Sequence, residues 1–198
     1  GLGDWWVNEE KLPGGLDALA RNIGALGMEF GLWIEPEMVS EDSQLYHSHP
    51  DWVLSAPDRA YVRGRSQLVL DFTRKEVRDY VYDALCQVLS STPITYLKWD
   101  MNRSLTQVWS AGLPAQRQGE VYHRYVLGVY ELLERFHQNF PHILIEGCSG
   151  GGGRFDAGML YYTPQIWCSD NTDAIERLRI QYGTSFCYPP CTMGAHVS

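Results

Sequence analysis

Short apolar runs that stop on a carboxylate, interspersed with helical patterns, recur along this 198-residue chain. Residues 28–35 (MEFGLWIE) end on Glu35, residues 94–100 (ITYLKWD) on Asp100 and residues 165–170 (QIWCSD) on Asp170. Residues 67–72 (QLVLDF) and 143–148 (ILIEGC) are also of strand length, and the second runs into glycines. Helical spacing places Leu16, Leu19, Ile23 and Leu26 together in residues 15–26, and Val77, Val81, Ala84 and Val88 together in residues 73–89. A long helix is expected over residues 117–136. Thr73 three before Glu76, and Asp173 three before Glu176, read as capping boxes, the second opening a helix to about residue 185. Residues 193–198 (MGAHVS) read as the start of one more strand. Strands that alternate with helices pair in parallel. Polar groups gathered where buried strands end are the layout of a TIM barrel, whose active sites lie at the C-terminal ends of the strands. Periodicity alone leaves a doubly wound sheet open. A closed barrel takes about 250 residues, and five or six strands are countable here. The expectation is therefore an α/β fold, a (β/α)8 TIM barrel that is incomplete.

Composition narrows the partners. Hydrophobic residues make up 44% and charged ones 20%, which suits a packed core rather than disorder. A net charge of −8 argues against nucleic acid and anionic membranes as partners and is compatible with a neutral sugar. No run approaches the ~18 apolar residues of a membrane-spanning helix. The cysteines Cys86, Cys148, Cys168, Cys187 and Cys191 are odd in number, and two of them sit in apolar runs. Free thiols in a reducing, cytoplasmic compartment are expected. The chain does not open with Met, so its start carries no information on targeting.

Lys98-Trp99-Asp100-Met101-Asn102 is the strongest local constellation. Alternation puts Lys98, Asp100 and Asn102 on one side of a strand end. A cation two residues away would keep Asp100 ionised, as a nucleophile attacking an anomeric carbon needs. A plain salt link capping a loop fits the same residues equally well. In Ser169-Asp170-Asn171-Thr172-Asp173, helix capping explains Asp173, leaving Asp170 as the acid/base candidate. The glycine run Gly150-Gly151-Gly152-Gly153-Arg154 lacks the Gly-Lys-Ser/Thr of a phosphate loop. It reads instead as backbone that passes close to a ligand. Glu35 and Glu37 are reserve carboxylates, more simply read as partners of a nearby Arg or Lys. His47-Ser48-His49 has no third ligand nearby, and Cys187 with Cys191 makes one pair without a second, so no metal site is expected. Stacking on a sugar and filling a large barrel core would both use the abundant aromatics, of which Trp5, Trp6 and Trp33 lie nearest strand ends or loops.

These motifs, in this order, resemble glycoside hydrolase family 36 α-galactosidases over nearly the whole chain. The resemblance rests on Asp4-Trp5-Trp6 and residues 10–16, 30–37 and 65–71, together with 98–103, 146–154 and 168–173. It implies a retaining double displacement on terminal α-galactosides such as melibiose and raffinose, with Asp100 as nucleophile and Asp170 as acid/base. It further implies substrate contacts from Trp33, Arg65, Lys98, Asn102, Cys148, Gly150 and Gly151, with no metal or redox cofactor. On this resemblance residues 1–198 are a partial catalytic barrel, strands about three to seven. The family's N-terminal β domain, first strands with their Asp-Asp-Gly-Trp segment, last strand and C-terminal β domain would lie outside it. The piece alone is then expected to be inactive, and the full-length protein a homo-oligomer, a tetramer. A galactosyl transferase of the raffinose-synthase type and an α-N-acetylgalactosaminidase are the neighbouring readings. A non-catalytic sugar-binding barrel is the reading from another class.

Overall fold

A computed structural model describes residues 1–194. Its elements run α1 (Gly15–Ala25), β1 (Gly31–Ile34), β2 (Met38–Val39), α2 (Gln44–Ser48), β3 (Leu68–Val69), α3 (Lys75–Ser91) and β4 (Tyr96–Trp99). They continue with α4 (Val121–Asn139), β5 (Leu144–Gly147), α5 (Ala157–Tyr162), β6 (Gln165–Trp167), α6 (Ala174–Ser185) and β7 (Met193–Gly194). Five strands form one parallel sheet in the order β1-β4-β5-β6-β7. Each expected strand that ends on a catalytic candidate lies in this sheet, as does residue pair 193–194; residues 195–198 of the last expected strand lie outside the described residues.

Residues 67–72 do not join that sheet. Leu68–Val69 instead pair antiparallel with Met38–Val39 in a separate ribbon. Leu68, Val69, Leu70 and Phe72 are all buried, so the run has the apolar signature of a central strand without its pairing.

The helices cover one face of the sheet. Along β4, Leu97 and Trp99 are buried toward them, and Trp99 meets Phe136 of α4 edge to face, their ring centres 5.9 Å apart. On α3 the buried row is Val77, Val81, Leu85 and Leu89, one turn apart; each contributes about 1.5–3 kcal/mol by leaving water. Close packing of α4 depends on Gly128, where an added Cβ would collide with the Phe72 carbonyl oxygen. The expected cap at Thr73 does not form. Its hydroxyl donates to Asp71 at 2.6 Å, a local bond that competes with capping, and α3 begins without a side-chain cap. Asp173 does cap α6, accepting from the amides of Ile175 and Glu176 at 3.0 Å each.

The opposite face of the sheet carries polar groups in register: Trp33 beside Lys98, Lys98 beside Glu146, and Glu146 beside Gln165. Chemistry is thereby placed on one side of the sheet and packing on the other.

Candidate active site

Asp100 follows the last residue of β4, and its residue is 5% exposed. Its backbone N–H donates to the Ile34 carbonyl at 2.9 Å, which ties it to the end of β1. Its Oδ2 accepts from the indole Nε1 of Trp33 at 2.9 Å and from Nδ2 of Asn102 at 2.7 Å, and its Oδ1 accepts from the Met101 amide at 2.9 Å. Burial pushes this carboxyl up. The hydrogen bonds from Asn102, Trp33, the Cys148 thiol and the Met101 amide outweigh burial and hold it below the usual carboxylate range. On the Cys148 side, burial and the same hydrogen bond push the thiol up to about 12, so it stays a neutral donor.

The sequence assigned the task of keeping Asp100 charged to Lys98. The structure gives it to neutral donors instead. Lys98 Nζ pairs with Glu146 across the strand at 3.2 Å and lies 4.6 Å from the centre of the Trp167 ring. Glu146, fully buried, also accepts from the Tyr96 hydroxyl. Neither Glu146 nor Trp167 was singled out from sequence. The usable signal was a carboxylate inside an apolar strand, which has to face a partner.

Removing one donor tests this account. Asn102→Ala is expected to raise the Asp100 carboxyl, read by carbon-13 titration of the folded protein. A carboxyl lowered by folding contributes stability above its unfolded value and loses it as pH falls through the folded value. The substitution therefore moves that loss to higher pH. An unchanged titration would remove Asn102 as a cause.

Asp170 lies three residues beyond β6 and is exposed. Nε1 of Trp167 donates to its Oδ1 at 3.1 Å. Arg177, buried on α6, donates to the carbonyls of Ser169 and Gly194 at 2.9 Å each and so pins the loop that carries Asp170.

The glycine loop after β5 lies between the two carboxylates, since β5 separates β4 from β6 in the sheet. At a strand spacing of about 4.8 Å, the β4 and β6 backbones are about 10 Å apart. Beside Asp100 the loop offers Cys148, whose carbonyl accepts from the Met101 amide at 3.1 Å. Beside Asp170 it runs so close that a Cβ on Gly151 would meet Ser169 Cα at 2.9 Å, and one on Gly152 the Cys168 oxygen at 2.7 Å. Gly150, at φ +55°, faces open space instead. The glycines are thus required partly by the neighbouring backbone and partly on the open side. Glu37 is structural: fully buried, it accepts from Trp99, Tyr125 and Arg154, the last at 2.8 Å. Arg154 in turn donates to Ser149 Oγ at 2.6 Å, bracing the loop.

Arg65 and Ser66 have φ of +56° and +58°. The Gln67 amide donates to the Gly64 carbonyl at 3.0 Å, closing a tight two-residue turn with both central residues left-handed. Such turns favour Asn-Gly, and L-residues there cost about 1–2 kcal/mol each. That cost is retained at a turn whose Arg65 side chain is exposed. Arg65 shares with Trp33 and Glu35 the wall of a cavity of about 530 Å³. A second cavity, about 500 Å³, is bordered by Asn102 and Gly150. Trp33 is 51% exposed, an uncovered ring face held at its indole nitrogen by Asp100. Among the described residues no group of three His, Cys, Asp or Glu side chains is arranged to hold a metal ion.

The family model described as melibiase matches residues 1–198. The α-galactosidase AgaA of Geobacillus stearothermophilus is 60% identical over 197 residues, covering 100% of this chain and 27% of that protein. The bifunctional α-galactosidase/sucrose kinase AgaSK of Mediterraneibacter gnavus is 59% identical, covering 100% of this chain and 20% of that protein. The chain thus spans about a quarter of the length of these relatives. Among solved structures, a variant of the Geobacillus AgaA in complex with raffinose superposes with a TM-score of 0.97 at 59% identity, over 100% of this chain and 27% of that one.

Proposed function

Because the chain belongs to the melibiase family, matched along its whole length, we propose that it carries the catalytic centre of a retaining α-galactosidase acting on raffinose-type oligosaccharides. Its parallel sheet with flanking helices is the fold of the family 36 TIM-barrel domain, and within the described residues the barrel is not closed. The observation that carries the reading is Asp100: a buried carboxylate kept ionised by four hydrogen bonds at a strand end.

In this proposal the Asp100 carboxylate attacks the anomeric carbon of the galactosyl unit. The bond to the aglycone oxygen breaks, and that oxygen takes the proton of Asp170. The product is a galactosyl ester on Asp100. Asp170, now a carboxylate, removes a proton from water. The water oxygen attacks the anomeric carbon, the ester bond breaks, and galactose leaves with its original α configuration. Trp33 offers its ring to the apolar face of the sugar. Arg65, Lys98, Asn102 and the loop of Cys148, Gly150 and Gly151 would meet its hydroxyls. Raffinose bound to a variant of the Geobacillus relative supports this substrate class.

The test is proton NMR of the first-formed anomer when the full-length protein cleaves an aryl α-galactoside. α-Galactose appearing first is expected. β-Galactose first would make the reaction inverting, and absence of turnover would remove the α-galactosidase reading.

A further inference from the structure

Glu35 is 1% exposed at the C-terminal end of β1, and both its oxygens are engaged. Oε1 accepts from the backbone N–H of Asn102 at 2.7 Å. Oε2 accepts from Nε2 of Gln67 at 3.1 Å. Each bond reaches a different segment of the site. Asn102 gives its side-chain amide to Asp100 at 2.7 Å. Gln67 closes the left-handed turn that presents Arg65. Two residues before Glu35 on the same strand, Trp33 donates to the same Asp100 oxygen.

We infer that Glu35 is a positioning residue, a buried acceptor that joins the Asn102 end of β4 and the Arg65 turn to the strand bearing Trp33 and so fixes the donors around Asp100. The inference rests on the reading of Asp100 as nucleophile. It assigns Glu35 no contact with substrate.

Geometry decides what matters in Glu35. The Asn102 amide needs an acceptor at one point, and a glutamine side chain supplies an oxygen there as well as Glu does. In Glu35→Gln the other half of the introduced amide would be a donor facing Gln67. Gln67 Oε1 is buried without a partner, so rotating the Gln67 amide by half a turn would present that oxygen to it. Glu35→Gln can therefore keep both bonds without the charge. Glu35→Asp keeps the charge but draws the carboxylate back by one methylene, away from both donors.

The experiment measures kcat/KM on an aryl α-galactoside, with melting temperatures, for the full-length protein and its variants. Glu35→Ala and Glu35→Asp are expected to lose about 10- to 100-fold, the scale of a misplaced catalytic group. Glu35→Gln is expected to stay within about threefold of the parent because both hydrogen bonds survive. Combined with Asn102→Ala, the Glu35→Ala loss should shrink, because Glu35 holds the backbone that aims the Asn102 side chain, while the part of its effect carried through Gln67 and the Arg65 turn remains. Three results would overturn the inference: a Glu35→Ala protein with a lowered melting temperature but full turnover, losses that simply add, or Glu35→Asp outperforming Glu35→Gln. If Glu35→Ala does not fold, the order of Gln and Asp decides alone. A parent inert toward α-galactosides, or an Asp100→Ala variant as active as the parent, overturns the nucleophile reading and this inference with it.

Discussion

Replacing Asp100 with Ala in the full-length protein is expected to lower kcat/KM for an aryl α-galactoside by about 10⁴- to 10⁶-fold, the range found when a nucleophile or its activating partner is removed. The size follows from what the carboxylate does in the structure. It is the acceptor for Trp33, Asn102, the Met101 amide and the Cys148 thiol. These donors hold it charged, and they would lie around the ester formed in the first step. Among the described residues, the neighbouring buried carboxylates are not free to replace it: Glu35 and Glu37 have their oxygens already committed, and Glu146 faces Lys98. A companion variant, Asp100→Gly, opens space on the attacking side. With azide and a good phenol leaving group, azide should take the vacated position and give β-galactosyl azide by a single inversion. A melting temperature close to the parent's would separate lost chemistry from lost folding. Turnover within about tenfold of the parent in Asp100→Ala would end the assignment, since that is far short of the loss a missing nucleophile causes.

The sequence displayed the sheet well because the helix-covered face of each strand is packed with apolar side chains, so the strands read as short apolar runs. Residues 28–35, 94–100, 143–148 and 165–170 all proved to hold strands of one parallel sheet. The same signature misled at residues 67–72, where Leu68 and Val69 are buried like the core residues of the sheet but pair with Met38–Val39. Burial is written in composition; the identity of the partner strand is not. Lys98 shows the same limit at the level of one side chain. Along a strand, residues two apart are separated by about 6.6 Å, whereas neighbouring strands lie about 4.8 Å apart. Glu146, in register with Lys98 on β5, therefore took the ammonium that the sequence pattern had lent to Asp100.

The cap at Asp173 is legible in the sequence because it is set within four residues, Asp173 accepting from the Ile175 and Glu176 amides of α6. At Thr73 a competing acceptor two residues earlier, Asp71, was equally local, but its claim on the hydroxyl depends on Ser110 holding the other Asp71 oxygen from 39 residues away. Glu35 was visible as a strand-end carboxylate. Its partners, 67 and 32 residues distant, were not.

Asp170→Ala is expected to separate substrates by their leaving groups. A general acid contributes about 10²–10⁴-fold where the departing oxygen needs a proton. Cleavage of raffinose, whose leaving alkoxide is strongly basic, should fall across that range. An aryl galactoside with an acidic phenol departs without help, so its first step should be nearly as fast as in the parent. The second step then limits turnover, because nothing takes the proton from water, and galactosyl-Asp100 accumulates behind a burst of phenol. Azide needs no base. It should attack the ester from the leaving-group side, restore turnover and give α-galactosyl azide, the product of two inversions. The surroundings of Asp170 suit both duties: it is exposed, open to the incoming water, and oriented by Trp167 at 3.1 Å. Asp173, committed to the α6 cap, cannot stand in for it. Equal losses on both substrates with no response to azide would move the acid/base role away from Asp170. The opposite azide anomers from the Asp100 and Asp170 variants would assign the two carboxylates to opposite sides of the same anomeric carbon.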